Sequence, residues 1–402
     1  MSITANLLYQ HGVNEENERS HYHGRICVNP ADDEIMIVPE RDGYCYFSDD
    51  AGATFNISGQ IAPASGASDY AVRCMRYHPE EDTWWARWEG EPSGGAAYRY
   101  STDDGATWTE ITESSAVLTQ YRVYSFNLTA DGTMYLQGSN ASTGNWAVAR
   151  DTSIKAGMDP TAGNRHTYTT LNGAVTCMGS GILDSQYFVS AQNYSPPRLT
   201  IAKMDMSAHT MWGASGTANS TQIGAANNIG IDQSGVLDYC LALMSETAGL
   251  VTLDKLSYNA PHPIPQITYD FGVDVEYSAI HHGNNSFALI AKDVSSGTTM
   301  YVAFMDPVTE EWDGPYTIIL PIAHSTSADN STSRTQLEYF KDGKWLYSYI
   351  TGTGGTNFRF TLVDFTIPSG LPVYLQEAQV SAAYLGDTVV TALYKGDTQL
   401  YP

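Results

Sequence analysis

Short apolar segments alternate with polar turns along this chain, and the alternation recurs about every fifty residues. Each unit opens with an apolar segment, continues through a polar turn and returns in a second segment rich in aromatic residues. In the first unit these parts are Arg25 to Val28, the turn Asn29 to Asp33, and Glu34 to Val38. Short apolar runs bounded by turn residues are typical of strands. The pattern therefore predicts a strand pair at the start of each unit.

Seven such units can be aligned. Equivalent positions are 27, 74, 126, 177, 229, 279 and 337, and the spacings are 47, 52, 51, 52, 50 and 58 residues. A period of this size, with about four strands per unit and no helical pattern, is the signature of a β-propeller. A ring of neighbouring sheets buries the faces that a single sheet would expose.

The sequence thus predicts an all-β, seven-bladed β-propeller at residues 1–370 and a small C-terminal β extension at residues 371–402. In the fifth unit the second strand is expected at Val236 to Leu243. The ring needs a closing strand that covers the edge of the last blade. We favour the N-terminal segment Ile3 to Gln10 for this place, and Leu371 to Leu375 is the alternative.

Two units carry the motif S-x-D-x-G-x-T-aromatic, with the copies 53 residues apart. The matching residues are Ser48, Asp50, Gly52, Thr54 and Phe55 in the first copy and Ser101, Asp103, Gly105, Thr107 and Trp108 in the second. A short hydroxyl or carboxylate accepts hydrogen bonds from turn N–H groups, glycine supplies a positive φ, and the aromatic residue packs between sheets. The motif resembles the Asp-box of sialidase-like propellers. That resemblance implies a structural turn between the third and fourth strands of a blade.

A sialidase-like enzyme would need further residues. The resemblance implies an early Arg-Ile-Pro, two more arginines that bind a carboxylate, a Tyr/Glu pair and an acid/base Asp in a six-bladed ring. Arg25-Ile26-Cys27 lies at the corresponding strand but lacks the proline, so an ordinary inner-strand role is favoured for Arg25. The candidate partner arginines, none of which stands in a recognisable motif, are Arg73, Arg122, Arg198 and Arg334.

Other candidate chemistry is sparse. His21 and His23 share one face of an extended segment and His281 and His282 form a second pair, but neither pair has an accompanying carboxylate cluster, so no metal site or cofactor is predicted. Alternation places Trp84 and Trp88 on one strand face and Trp85 on the other, which favours packing between blades. Five widely spaced cysteines without a C-x-x-C pair argue against disulfides and zinc; Cys27, Cys74 and Cys177 are expected to be buried inner-strand residues.

Composition and charge exclude several classes of function. The chain has 20 basic and 44 acidic residues, a net charge of −24, and this balance disfavours binding to a nucleic-acid backbone. No apolar run approaches the roughly 18 residues needed to cross a bilayer, so membrane insertion is not expected. No signal peptide is visible at the N-terminus. These features predict folding in a reducing cytoplasm.

The C-terminal segment repeats a Y-x-G-D-T-like pattern ten residues apart. Its marker residues are Tyr384, Gly386, Tyr394, Gly396, Tyr401 and Pro402. The pattern resembles the short tails that close many structural proteins of tailed bacteriophages. This resemblance implies a virion protein assembled in the host cytoplasm, either tail-associated (nozzle, fibre-associated or receptor-binding) or head-decorating.

The expected partners are other virion proteins and further copies of this chain, with a host-surface glycan as an additional candidate. Two other functions stay open: a sialidase-like or other glycan-cleaving enzyme, and a carbohydrate-binding adhesin without catalysis.

Overall fold

The described part of this computed structural model consists mainly of antiparallel strands joined by turns. The described residues are 2–11, 25–39, 43–61, 70–90, 96–111, 121–140, 146–152, 165–168, 176–183, 186–193, 198–207, 209–213, 229–230, 239–257, 265–325, 335–352, 359–367, 383–385, 388–390, 393–395 and 398–401. They contain strands and turns but no helix, which confirms the all-β class. The chain divides into two compact units, Met1–Ile367 and Pro368–Pro402.

The N-terminal segment contributes β1 (Ser2–Thr4) and β2 (Asn6–Gln10), and seven sheets of four or five strands follow among the described residues. We number them sheet 1 to sheet 7 in chain order. The strands of sheets 1 to 3 are β3 (Arg25–Asn29), β4 (Glu34–Val38), β5 (Tyr44–Ser48), β6 (Asn56–Gln60), β7 (Tyr70–His78), β8 (Thr83–Gly90), β9 (Ala96–Ser101), β10 (Thr109–Ile111), β11 (Tyr121–Leu128), β12 (Met134–Asn140), β13 (Trp146–Asp151) and β14 (Arg165–Tyr168).

Sheets 4 and 5 likewise hold four consecutive strands each, sheet 6 holds four plus β1, and sheet 7 holds three plus β2. Their strands are β15 (Thr176–Leu183), β16 (Tyr187–Asn193), β17 (Arg198–Lys203), β18 (His209–Gly213), β19 (Ile229–Gly230), β20 (Cys240–Thr247), β21 (Leu250–Leu256), β22 (Gln266–Asp270), β23 (Val275–Gly283), β24 (Ser286–Asp293), β25 (Thr299–Met305), β26 (Trp312–Ile319), β27 (Gln336–Lys341), β28 (Lys344–Thr351) and β29 (Arg359–Thr366).

The first strands of successive sheets contact one another. β3 contacts β7, β7 contacts β11, and the series continues through β15, β19, β23 and β27. β27 in turn contacts β3, so the contacts return from sheet 7 to sheet 1. Two hydrogen bonds join these last two strands: the Ile26 N–H donates to Gln336 Oε1 at 3.0 Å, and Gln336 Nε2 donates to the Ile26 carbonyl at 2.9 Å.

The N-terminal segment covers the edges of two sheets. β2 pairs antiparallel with β29 as the outermost strand of sheet 7, whereas β1 pairs in parallel with β26 of sheet 6. Ile3 to Gln10 is predicted as one strand, but the structure divides it at Ala5. This residue is 2% exposed, and its N–H donates to the Ile319 carbonyl at 2.9 Å. A small residue at this point lets the chain cross from one sheet to the next.

The core lies between neighbouring sheets. Trp84 and Trp88 pack with Met36 and Cys45 of sheet 1, whereas Trp85 packs with Phe126 of sheet 3. This distribution confirms the two-faced alternation read from the sequence. Between sheets 7 and 1 the buried residues are Ile26, Ile35, Ile37, Phe340, Leu346, Phe360 and Leu362.

In sheet 5 the second strand differs from expectation. The sequence predicts it at Val236 to Leu243, but the described strand β20 begins at Cys240 and ends at Thr247. Residues 231–238 lie outside the described residues. The reason is the two-residue turn that follows, Ala248 and Gly249, with φ values of 48° and 88°. Such turns fix the end of a hairpin, and β21 starts directly after this one.

The second unit contains four short strands, β30 (Ala383–Leu385), β31 (Thr388–Val390), β32 (Leu393–Lys395) and β33 (Thr398–Tyr401). They form two separate hairpins, β30 with β31 and β32 with β33. Each hairpin corresponds to one copy of the sequence repeat.

No helix in the described part of the chain is long and apolar enough to span a membrane.

Candidate functional site

The first motif copy forms a turn between β5 and β6, the third and fourth strands of sheet 1. Asp50 Oδ1 accepts the Thr54 N–H and the Ser48 hydroxyl, both at 2.8 Å, and Asp50 Oδ2 accepts the Thr54 hydroxyl at 2.7 Å. Ser48 Oγ accepts the Gly52 N–H at 2.9 Å. Gly52 has a φ of 89°, a value that favours glycine. We call this turn and its counterpart the aspartate turns.

The second aspartate turn, between β9 and β10 of sheet 2, has nearly the same geometry. Asp103 accepts the Thr107 N–H at 2.8 Å, the Thr107 hydroxyl at 2.6 Å and the Ser101 hydroxyl at 2.7 Å. The Gly105 N–H donates to Ser101 Oγ at 2.9 Å, and Gly105 has a φ of 80°. Trp108 Nε1 donates to the Gly105 carbonyl at 3.0 Å, which holds the indole against the turn.

These hydrogen bonds fix both carboxylates as acceptors. Bonds from the Thr54 hydroxyl and N–H, and then from the Ser48 hydroxyl, hold the pKa of Asp50 below its ordinary value. A carboxylate that stays ionised and fully engaged in its own turn is suited to a structural role rather than to proton transfer.

Each aspartate turn also packs on the outermost strand of another sheet. Gly59 of β6 lies so close to the second turn that a Cβ there would be 2.2 Å from the Gly105 carbonyl oxygen, and the Ser58 hydroxyl donates to the Asp104 carbonyl. The first turn packs on β2, where Phe55 and Tyr9 make an edge-to-face contact with centroids 5.4 Å apart. The aspartate turns therefore form packing contacts between sheets.

A second group of polar side chains lies on the first strands. Arg76 Nε donates to Asn127 Oδ1 at 2.9 Å, which links sheets 2 and 3. On sheets 6 and 7, His281 Nε2 lies 3.5 Å from Glu338 Oε2, and Gln336 Nε2 donates to Glu338 Oε1 at 2.6 Å. We call Arg76, Asn127, His281 and Glu338 the Arg76 layer.

The Arg76 layer is electrostatically coupled. Burial lowers the pKa of His281, the Glu338 carboxylate opposes this effect, and the positive charge of Arg76 adds to it. Burial likewise raises the pKa of the Cys27 thiol, and Arg76 and Glu338 are both near enough to act on it. Burial and Arg76 thus favour the neutral imidazole of His281, which lies beside the Glu338 carboxyl group.

A third group surrounds a β-bulge in sheet 6. The register of β23 against β24 shifts between Glu276 and Ala279, and Tyr277 has a φ of 59°. Bulges redirect side chains, and residues in strained conformations concentrate at functional sites. We call the residues gathered here the bulge cluster: Glu246, Glu276, Tyr277, Ser278, Lys292 and His324.

The bulge cluster is buried apart from Glu276, which is 18% exposed. It joins sheets 5 and 6 through Glu246 and Ser278, and His324 reaches sheet 7 by stacking on Tyr349 with ring centroids 5.4 Å apart. Glu246 Oε2 accepts the Ser278 N–H at 3.0 Å and also the Ser278 hydroxyl. Burial raises the pKa of Glu246 to about 7, against the hydrogen bonds from Ser278. Lys292 Nζ lies 2.5 Å from Glu276 Oε1. The imidazole of His324 stacks on Tyr277 at 5.3 Å, and burial lowers its pKa to about 4.

Sequence reasoning did not find the Arg76 layer or the bulge cluster. Arg76 and Asn127 lie 51 residues apart along the chain, and no local motif marks either of them. The sequence marks His281 only as one member of a histidine pair. One sequence signal could identify both groups: polar residues that stand among apolar residues within the same strand.

The remaining predicted site residues fall as follows. Arg25 is a partly buried residue of β3. Cys27 and Cys74 are buried. The side chains of Arg73, Arg122, Cys177, Arg198 and Arg334, and the pair His21 and His23, lie outside the described part of the molecule. Within the described residues no group of three or more His, Cys, Asp or Glu side chains is arranged to hold a metal ion.

The tail residues fall partly outside the described residues as well. Tyr384 belongs to β30, Tyr394 to β32 and Tyr401 to β33. Gly386, Gly396 and Pro402 lie outside the described residues.

Comparison with known proteins gives the fold. No family model matches the chain, and no curated protein matches it. Among solved structures it is similar to YCF48 from Cyanidioschyzon merolae, with a TM-score of 0.51 at 13% identity over 89% of this chain and 98% of that one. It is also similar to BBS1N in complex with ARL6DN, with a TM-score of 0.52 at 8% identity over 93% of this chain and 100% of that one.

A third similar structure is that of a prolyl endopeptidase, with a TM-score of 0.50 at 10% identity over 87% of this chain; the match spans 51% of the endopeptidase. Identities this low show fold alone. They agree with the stacked antiparallel sheets and confirm the coarser structural prediction: the chain has a β-propeller fold.

Proposed function

We propose that the propeller is a closed ring of seven blades and that the two aspartate turns are Asp-boxes. The seven sheets and the return of first-strand contacts from sheet 7 to sheet 1 support the blade number. Asn6–Gln10 acts as the closing strand, in keeping with its pairing to β29. The position of each aspartate turn, between third and fourth strands, supports the Asp-box assignment.

We infer further that this chain is a structural subunit of a tailed bacteriophage particle. The observation that carries this proposal is the C-terminal unit: two hairpins built from one sequence repeat, separate from the propeller unit. A two-stranded hairpin of three or four residues per strand is not stable alone in water. The tail therefore needs a surface to dock on, and a neighbouring subunit of the particle supplies it.

The polar groups of the propeller unit also favour a structural role. The aspartate turns and the bulge cluster are used to join sheets. The net charge of −24 suits a surface beside packaged or passing DNA, because like charge prevents adhesion.

Truncation tests the proposal. A chain ending at Val373 should fold cooperatively, with the β-sheet circular dichroism of the full chain, because the propeller unit ends at Ile367. It should fail to enter particles in a host that supplies it in place of the full chain. Particle content is measured by mass spectrometry of purified virions.

Deletion of one repeat, residues 391–402, is the graded control and should reduce incorporation without abolishing it. An insoluble or unfolded truncated chain would contradict the docking role of the tail, because it would show that the tail seals the propeller itself. Absence of the full-length chain from purified particles would contradict the virion assignment.

A further inference from the structure

The bulge cluster holds a carboxyl group between two sheets, and one of its oxygens is not hydrogen-bonded. Glu246 is 2% exposed, and its Oε2 accepts both the N–H and the hydroxyl of Ser278 across the boundary of sheets 5 and 6. Its Oε1 has no hydrogen-bond partner among the described residues. Such a group is favoured as the neutral acid, because a buried ionised oxygen needs donors or a counter-charge.

The charged groups packed around Glu246 do not supply that counter-charge. On sheet 6, Lys292 is fully buried and is already paired with Glu276 at 2.5 Å. The Glu276 carboxylate opposes ionisation of Glu246. Toward sheet 7, burial lowers the pKa of His324 to about 4, so its imidazole is neutral at neutral pH. On sheet 5 the cross-strand partner of Glu246 in β21 is Val251, which is apolar.

The hydrogen bonds of Glu246 also hold an unfavourable backbone conformation. Tyr277 has a φ of 59°, and it directly precedes Ser278, whose N–H and hydroxyl both donate to Glu246. The His324 ring stacks on Tyr277 at 5.3 Å, and Lys292 Nζ lies 5.8 Å from the centre of the Tyr277 ring. Loss of the bonds to Glu246 therefore allows a strained residue to relax.

Solvent lies close to this carboxyl group. Glu246 is the last but one residue of β20, and the next two residues, Thr247 and Ala248, are exposed. The Glu276 side chain is 18% exposed. A small displacement at this end of sheets 5 and 6 therefore brings the carboxyl group into contact with water without separating the rest of the two sheets.

We propose that the bulge at Tyr277 is a pH-sensitive device: it is closed while Glu246 is protonated, and ionisation of Glu246 opens it locally, so that water enters between the ends of sheets 5 and 6. Burial raises the pKa of Glu246 from 4.5 to about 7 in the closed form. The opened form ionises at the ordinary value, so opening becomes more favourable between pH 4.5 and about 7 and is constant above that range. This inference is independent of the tail and of the virion assignment.

Hydrogen–deuterium exchange of the full chain, followed by mass spectrometry of peptides, measures the opening. The peptide of interest covers Val275–Gly283. After correction for intrinsic exchange, its opening constant should be roughly fiftyfold larger at pH 8 than at pH 5. The second aspartate turn, whose Asp103 has a pKa below its ordinary value, is the internal control and should show no such change. The bulge should also exchange faster than the buried strand Lys344–Thr351, which reports global unfolding.

Three variants assign the opening to Glu246. Glu246→Gln keeps an acceptor for Ser278 but cannot ionise, so the difference between pH 5 and pH 8 should disappear. Glu80→Gln removes one charge in an exposed turn and should behave as wild type. Should Glu246→Gln fail to fold, Glu276→Gln serves instead: it removes the carboxylate that opposes ionisation of Glu246, so the change in opening between the two values of pH should become smaller.

Three results would overturn the proposal. The first is a bulge peptide that exchanges only as slowly as Lys344–Thr351, because it would show that no local opening exists. The second is a pH dependence that persists in Glu246→Gln, and the third is one that Glu276→Gln leaves unchanged.

Discussion

Glu246 offers a sharp test of the bulge cluster. Its carboxyl group is 2% exposed, Oε2 accepts two hydrogen bonds from Ser278, and Oε1 has no partner in the described residues. Burial raises its pKa from 4.5 to about 7. We predict that Glu246→Gln stabilises the protein above pH 7, because the amide keeps an acceptor for Ser278 and can never ionise.

The sign and size of this change in stability follow from the difference in proton binding between the folded and unfolded chain. Between pH 4.5 and 7 the unfolded chain releases the Glu246 proton while the folded chain keeps it, so stability is fully present below pH 4.5 and falls as the pH rises to about 7. A shift of about two and a half pKa units corresponds to about 3 kcal/mol. The neighbouring charges, Glu276 and its partner Lys292, are present in both proteins and cancel in the comparison.

The assay is urea unfolding of wild type and Glu246→Gln at pH 5 and pH 8. The variant should gain about 3 kcal/mol over wild type at pH 8 and less than about 1 kcal/mol at pH 5. Glu80→Gln, in an exposed turn, is the control and should show the same difference from wild type at both values of pH. A Glu246→Gln variant that is less stable than wild type at pH 8 would refute the reasoning, since it would show that the ionised carboxylate stabilises the joint.

Three further predictions concern the joints between sheets, each measured by thermal unfolding. Asp103→Ala removes the acceptor of the Thr107 N–H and hydroxyl and should cost about 1 kcal/mol, because water reaches this exposed turn and replaces part of the bonding. Gly59→Ala places a Cβ 2.2 Å from the Gly105 carbonyl oxygen and should cost about 1–3 kcal/mol through overpacking. Deletion of residues 2–11 uncovers the edges of sheets 6 and 7 and should lower the unfolding midpoint. The uncovered edges should also cause aggregation, which light scattering measures.

Each of these three predictions has a result that would contradict it. An Asp103→Ala protein that loses a binding or catalytic activity at unchanged stability would show that the aspartate turn has more than a structural role. A Gly59→Ala protein as stable as wild type would contradict the close packing of the second turn on β6. A soluble, monomeric deletion protein with an unchanged midpoint would show that β1 and β2 do not protect the sheet edges.

The strand framework could be predicted from the sequence because it depends on local order. Turn residues such as Asp32 and Asp33 separate apolar segments at a regular period, and the structure places β3 and β4 on either side of that turn. The division of the N-terminal segment at Ala5 could not be predicted, because it depends on which sheet edges lie nearby. The strand limits of sheet 5 were wrong because the Ala248–Gly249 turn, and not the apolar run, fixes the end of β20.

The polar groups were less predictable than the strands. The aspartate turns can be recognised in the sequence because the hydrogen bonds within each turn join residues at most four positions apart. The Arg76 layer joins residues that are dozens of positions apart, on sheets whose relative placement the sequence does not give. The bulge at Tyr277 requires a positive φ, which tyrosine rarely adopts. The conformational preference of this residue therefore could not predict it.

An experimental density map of the full-length chain tests the central claim most directly. We predict seven blades, with Asn6–Gln10 as the outermost strand beside Arg359–Thr366 and with both aspartate turns packed on the preceding blade. A map with six or eight blades, or with the last blade closed by a C-terminal segment in place of Asn6–Gln10, would contradict it.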